Sequence, residues 1–128
     1  MKLKKFYHVA ILASDYEKSK QFYVEVVGCE ILAEHYREEK QSYKLDLALH
    51  GEYIIELFTF PDSVEGSSNQ HTLGLMHIAF AVDDVEAALE ELHEKNIKTT
   101  GLRIDTLTNK KMAYFYDPDG VTLELYEA

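Results

Sequence analysis

The chain repeats itself, and a repeat of this length limits the fold to two copies of one supersecondary unit. Residues 6–13 read Phe-Tyr-His-Val-Ala-Ile-Leu-Ala, and residues 75–82 read Leu-Met-His-Ile-Ala-Phe-Ala-Val. Laying His8 on His77 gives an offset of 77 − 8 = 69, which also lays Ala10 on Ala79, Ser14 on Asp83 and Glu17 on Glu86. Ser14-x-x-Glu17 and Asp83-x-x-Glu86 both read as helix starts, an N-cap acceptor followed three residues later by an acid. Apolar residues follow at helical spacing: Tyr16, Phe22, Tyr23, Val26 and Val27 in one half, Val85, Ala88, Leu89 and Leu92 in the other. Gly28 and Asn96 close the helices, because both tolerate the left-handed conformation that ends one.

Three strands are expected after each helix: 29–37, 42–49 and 53–60, then 97–105, 110–116 and 121–126. His50-Gly51-Glu52 and Asp117-Pro118-Asp119-Gly120 supply turns between them. Each half is therefore β-α-β-β-β. Modules 1–60 and 75–128, joined by a polar connector 61–74 with Pro61, Gly66, Ser67 and Ser68, make a single domain 1–128. The halves also end alike: Tyr53-Ile54-Ile55-Glu56-Leu57-Phe58 lies on Val121-Thr122-Leu123-Glu124-Leu125-Tyr126 at 124 − 56 = 68.

Composition narrows the function. With 128 residues, 46% hydrophobic and 28% charged, the chain can bury a core. No apolar stretch approaches the ~20 residues of a membrane span, and the basic start Met1–Lys5 is not followed by the apolar run of a signal peptide. A net charge of −10 without a basic run argues against nucleic acid and anionic membranes as partners. The single cysteine, Cys29, fits a reducing cytosol, and a cytoplasmic location is expected.

Each half thus places a histidine in its first strand and a glutamate in its last. Alternation puts Glu56 on one face with Ile54 and Phe58, and Glu124 with Thr122 and Tyr126. A carboxylate on a largely apolar face is costly to bury unless something positive meets it. A lone strand histidine is more often a hydrogen-bonded core residue, and a lone strand glutamate more often solvated. Four such residues at repeat-equivalent positions are another matter. If first and last strands approach within each module, His8, Glu56, His77 and Glu124 could converge on one divalent cation, whose charge two carboxylates neutralise. Nitrogen and oxygen donors suit Zn²⁺, Ni²⁺, Fe²⁺, Mn²⁺ or Co²⁺.

Across essentially its whole length the chain resembles the vicinal-oxygen-chelate (VOC) superfamily, which includes glyoxalase I, extradiol dioxygenases and fosfomycin-resistance proteins. The likeness rests on His8-Val-Ala-Ile, Ser19-x-x-Phe22-Tyr23-x-x-x-Val27-Gly28 and Asp117-Pro118-Asp119-Gly120-x-x-x-Glu124-Leu125. It is marked with small bacterial glyoxalase-I-like proteins of the YaeR type, through Tyr36-Arg37, Asp46-Leu47-Ala48-Leu49, Ile55-Glu56-Leu57-Phe58 and Leu123-Glu124-Leu125-Tyr126. The resemblance implies an α+β fold in which two βαβββ modules form a U-shaped, mixed eight-stranded sheet around a metal. It implies a lactoylglutathione lyase-like enzyme with one divalent metal per site, Zn²⁺ or Ni²⁺ first. The implied substrate is the hemithioacetal of an α-oxoaldehyde with a low-molecular-weight thiol, isomerised by enediolate proton transfer. Glu124 takes the base role, and Glu56 is a ligand able to act as a second base. The resemblance also favours a symmetric homodimer, with His8 and Glu56 meeting His77 and Glu124 either within a chain or across two.

Other readings share the fold. Fosfomycin-type thiol transferases and extradiol dioxygenases use two histidines and one glutamate, and the fourth residue, Glu56, counts against both. A non-catalytic small-molecule binding module, as in bleomycin-resistance relatives, is disfavoured by the intact set of four. Arg37 and Arg103 lie in matching strands and could orient a substrate anion with their bidentate forks; as solvated surface arginines they would do nothing. His35, His50, His71 and His93 read as surface residues, and Lys110 and Lys111 as solvated. Cys29 reads as a small packing residue. Tyr114 and Tyr116 share a face that lines either a pocket or the core.

Overall fold

The computed structural model describes residues 1–66 and 71–128, so Ser67 and Ser68 of the expected connector lie outside the described residues. The chain divides into two compact units, Met1–Glu65 and Gly66–Ala128. Unit 1 runs β1 (Val9–Leu12), α1 (Tyr16–Gln21) continued by a π-helical turn (Phe22–Val27), β2 (Glu30–Arg37), a 3₁₀ turn (Glu38–Lys40), β3 (Ser42–Leu49) and β4 (Glu52–Phe58). Unit 2 runs β5 (Ile78–Val82), α2 (Val85–Glu94), β6 (Arg103–Asp105), β7 (Lys110–Tyr116) and β8 (Thr122–Glu127). The expected βαβββ order is present in both.

Each unit closes its own mixed four-stranded sheet, ordered β1-β4-β3-β2 and β5-β8-β7-β6. The first strand pairs parallel with the last in each unit, and the remaining pairs are antiparallel. This is the α+β architecture that the resemblance implies, built on the βαβββ order read from the repeat.

Alternation along the strands gives each sheet two unlike faces. In unit 2 one face carries buried Ala113 and Phe115 of β7 and Leu123 and Leu125 of β8. Helix α2 packs on these strands, with Val85, Leu89 and Leu92 buried at helical spacing. In unit 1 the corresponding face carries Ile11, Leu45, Leu47, Ile55 and Leu57, all buried. Tyr16 of α1 stacks on Tyr43 of the same face, ring centroids 4.0 Å apart. The opposite face of each sheet is free of its helix, and there the polar residues stand.

The helix starts fall one residue later than the sequence pattern places them. Asp15, not Ser14, caps α1, its Oδ1 accepting from Lys18 N at 3.1 Å. Asp84, not Asp83, caps α2, accepting from Ala87 N at 3.0 Å. Burial sets the phase: the residues just after the caps, Tyr16 and Val85, must face the core, at 8% and 1% exposure. Both shifts are equal, so the repeat offset stays 84 − 15 = 69. The helix ends are as expected. Gly28 (φ 90°) and Asn96 (φ 58°) are left-handed, and the next amides, Cys29 N and Ile97 N, bond back to Tyr23 O and Leu92 O at 2.9 Å.

The strand expected over 97–105 forms only at Arg103–Asp105, with an isolated bridge from Thr99 to Phe115. The Thr100 hydroxyl accepts the Tyr114 amide at 2.9 Å, so a side chain replaces a ladder bond there. No helix among the described residues is long and apolar enough to cross a membrane.

The cap assignment is testable. Asp84→Ala should destabilise the protein by about 1 kcal/mol, and Asp83→Ala by less than half of that, in urea unfolding. Equal losses would return the cap to Asp83.

Candidate functional site

The parallel registers place the candidate residues. Ala10 pairs with Glu56 across β1 and β4, and Ala79 pairs with Glu124 across β5 and β8. His8 and His77 each stand two residues before that alanine, one residue short of the strand, and so share the glutamate's face. His8 Nε2 lies 3.6 Å from Glu56 Oε1, and His77 Nε2 lies 3.2 Å from Glu124 Oε2. The approach of first and last strands is thus realised in each unit, at matching positions.

Each pair sets an imidazole nitrogen beside a carboxylate oxygen, two donor types that a divalent cation accepts. Two donors about 2.0–2.2 Å from one ion, at octahedral to tetrahedral angles, stand about 2.8–3.6 Å apart. In each histidine Nδ1 is buried with no hydrogen-bond partner among the described residues, so Nε2 is the nitrogen with access to a ligand. Glu124 is nearly enclosed, its side chain 9% exposed, where a carboxylate calls for hydrogen-bond donors or a cation. What each unit offers is a pair: no group of three or more His, Cys, Asp or Glu side chains is gathered for a metal among the described residues.

The surroundings of the two glutamates differ. Glu56 Oε2 lies 3.2 Å from the Tyr53 hydroxyl and 3.5 Å from Lys44 Nζ. The Tyr53 hydroxyl also reaches Asp46 Oδ1 at 2.9 Å, and Lys44 Nζ reaches both Asp46 carboxylate oxygens at 3.0 Å. Burial first, then hydrogen bonds and charge from Asp46 and Glu56, push the Tyr53 phenol well up. Lys44 is held above its ordinary value chiefly by its bond to Asp46. In unit 2, Tyr114 pairs directly across from Glu124, and its ring lies 5.6 Å from that of His77. Its phenol is pushed up by burial and then by the Glu124 carboxylate, to which it hydrogen-bonds.

Tyr53 reaches Glu56 because of a β-bulge. Leu47 pairs with Ile55 and the next residue, Ala48, with Tyr53, so Ile54 is the extra residue. Tyr53 therefore takes the place beside Glu56 that unbroken alternation assigns to Ile54. Lys44, Asp46 and Tyr53 are the residues sequence reasoning missed. The alternation Ser42, Lys44, Asp46 against Tyr43, Leu45, Leu47 marks two of them as a polar face; the bulge leaves no such mark.

Both arginines lie on their unit's polar face. Arg37 pairs with Ser42, bonds its hydroxyl at 3.0 Å, and sits over the rings of Phe58 and Phe60 at 5.2 and 5.7 Å. Arg103 pairs with Met112 and lies 5.5 Å from the ring of Tyr114. His35, opposite Lys44, is at the register position nearest to that of Arg103. His35, His50, His71 and His93 are exposed, as expected of surface residues. Lys111 pairs with Glu86. Cys29 is buried and its thiol is pushed up to about 11 by burial, which suits packing.

Comparison with known proteins places the fold in a family. The family model of the Glyoxalase/Bleomycin resistance protein/Dioxygenase superfamily matches residues 5–125. Uncharacterized protein YwkD of Bacillus subtilis is 53% identical, covering 99% of each chain. Uncharacterized protein YaeR of Escherichia coli is 48% identical over 98% of this chain and 97% of its own. A lactoylglutathione lyase of Salmonella typhimurium is 30% identical over 94% of this chain and 90% of its own. The crystal structure of a glyoxalase family protein from Enterococcus faecalis superposes with a TM-score of 0.88 at 45% identity, over 97% of this chain and 98% of that one. Motifs, fold and these likenesses agree: the chain belongs to the glyoxalase/bleomycin resistance protein/dioxygenase superfamily, the vicinal-oxygen-chelate proteins.

Proposed function

We propose that this chain is a divalent-metal-dependent lyase of the glyoxalase I kind. Its substrate is the hemithioacetal of an α-oxoaldehyde and a low-molecular-weight thiol, and it moves a proton between the two adjacent carbons. The observation that carries this reading is the repeated His–Glu pair, 3.6 Å in unit 1 and 3.2 Å in unit 2, at matching positions of two parallel strand pairs. Similarity to a lactoylglutathione lyase supports the reaction class.

His8, Glu56, His77 and Glu124 would hold the ion, two imidazole nitrogens and two carboxylate oxygens, with Zn²⁺ or Ni²⁺ the best suited and Fe²⁺, Mn²⁺ and Co²⁺ also fitting. When bound, it supplies Lewis-acid polarisation of the substrate's two vicinal oxygens. Glu124 accepts the proton from one carbon and returns it to its neighbour; Glu56 remains a ligand. Glu124 is buried, which limits the water that would compete for that proton. Arg37 and Arg103 orient an anionic group of the substrate from their polar faces. The protein acts in the cytoplasm as a homodimer on a small molecule, with neither nucleic acid nor membrane as partner.

Glu124→Gln should lower kcat for hemithioacetal isomerisation by about 10²–10⁴-fold with little change in KM. A variant with wild-type kcat removes Glu124 from the base role. Arg37→Ala and Arg103→Ala should each raise KM about tenfold, by loss of a charged hydrogen bond, without lowering metal content. Unchanged constants in both would leave these side chains to solvation. Sedimentation should give a dimer; a monomer contradicts it. Mixing His8→Ala with His77→Ala chains should restore part of the metal binding if sites are shared across the dimer, whereas no restoration despite subunit exchange assigns each site to one chain.

A further inference from the structure

We propose that Tyr53, Lys44 and Asp46 are positioning residues that pin Glu56 as a fixed ligand, so that Glu124 alone is free to carry the proton. This deepens the lyase reading and rests on it for the metal. The two oxygens of Glu56 are used differently. Oε1 faces His8 Nε2 at 3.6 Å, and these two atoms would hold the ion from unit 1. Oε2 is held from behind by the Tyr53 hydroxyl at 3.2 Å and by Lys44 Nζ at 3.5 Å. A phenol has one proton to give, and Tyr53 stands between two carboxylates, Asp46 at 2.9 Å and Glu56. Lys44 has three protons and resolves that competition, with both oxygens of Asp46 at 3.0 Å. Asp46 in turn fixes Lys44 and Tyr53 in place.

Tyr53 also braces the second ligand of its unit. Its ring lies 4.7 Å from the His8 ring, tilted by 32°. One side chain therefore touches both members of the pair, and it does so only because the bulge at Ile54 turns it to that face. In unit 2 the register positions of Lys44, Asp46 and Tyr53 are held by Met112, Tyr114 and Thr122, opposite Tyr126, Glu124 and Tyr116. Glu124 is left with His77 and the phenol of Tyr114. No lysine–aspartate brace stands at these positions. A carboxylate that has to move to take a proton could do so from this second environment and would be tethered in the first. The repeat has thus diverged into a holding half and a working half.

The test is a double-mutant cycle on metal affinity, read by competition of Ni²⁺ or Zn²⁺ with a chromophoric chelator. Tyr53→Phe keeps the ring on His8 and removes only the hydroxyl. It should weaken metal binding about tenfold or more in the wild-type and Glu124→Gln backgrounds, and less than about twofold in Glu56→Gln, where the anion it positions is gone. Equal losses in all three backgrounds, or none in wild type, overturn the proposal. A second arm needs no metal: in crystal structures of the metal-free protein, Tyr53→Phe and Lys44→Met should each release the Glu56 carboxylate from its single position while Glu124 stays put. An unmoved Glu56 in both variants overturns the pinning. Wild-type protein that takes up no metal would overturn the lyase reading, and the crystallographic arm would then decide the pinning alone.

Discussion

Parallel neighbours cannot be joined by a tight turn, so a module that pairs its first strand with its last needs a long crossover, which in this chain is a helix and two further strands. That constraint organises each unit here. β1 lies against β4 and β5 against β8, and the returning strand brings a glutamate to the level of an alanine two residues past the histidine. Alanine at that level leaves room, so an imidazole and a carboxylate meet on the face opposite the helix. The helix occupies the other face because Leu45, Leu47, Leu123, Leu125 and their neighbours make that side apolar. Core and site are therefore the two sides of one alternation.

Much of this was legible from residues alone. His8 and Glu56 recur as His77 and Glu124 at nearly one spacing, and a periodicity of two then settles which side chains share a face. The helices were legible through their apolar spacing and their left-handed stops, Gly28 and Asn96. The cap position was not, because Ser14 and Asp15, or Asp83 and Asp84, are all competent acceptors. What decides between them is which following residue the core buries, and that depends on packing against a sheet the local sequence does not describe.

The less legible part is the bulge. An unbroken strand would put Tyr53 on the helix side and Ile54 beside Glu56, and no local signal in Glu52–Phe58 says otherwise. The extra residue is fixed by the pairing of β3 with β4, Leu47 to Ile55 and Ala48 to Tyr53. It changes the chemistry around one glutamate while its counterpart, in the regular pairing of β7 with β8, keeps a different setting. The strand expected over 97–105 is short for a related reason: the Thr100 hydroxyl competes for an amide that β7 would otherwise share. Sequence repeats predict shared architecture well and shared chemistry less well, because one inserted residue is enough to re-aim a side chain.

The proposed function requires the two His–Glu pairs to act on one ion. Anomalous diffraction from crystals of the metal-loaded protein tests this directly. It should show a single strong peak per site about 2.0–2.2 Å from His8 Nε2, Glu56 Oε1, His77 Nε2 and Glu124 Oε2. Those four atoms come from one chain or from two. Two separate peaks, one at each pair, or a peak with either glutamate turned away from it, would contradict the account.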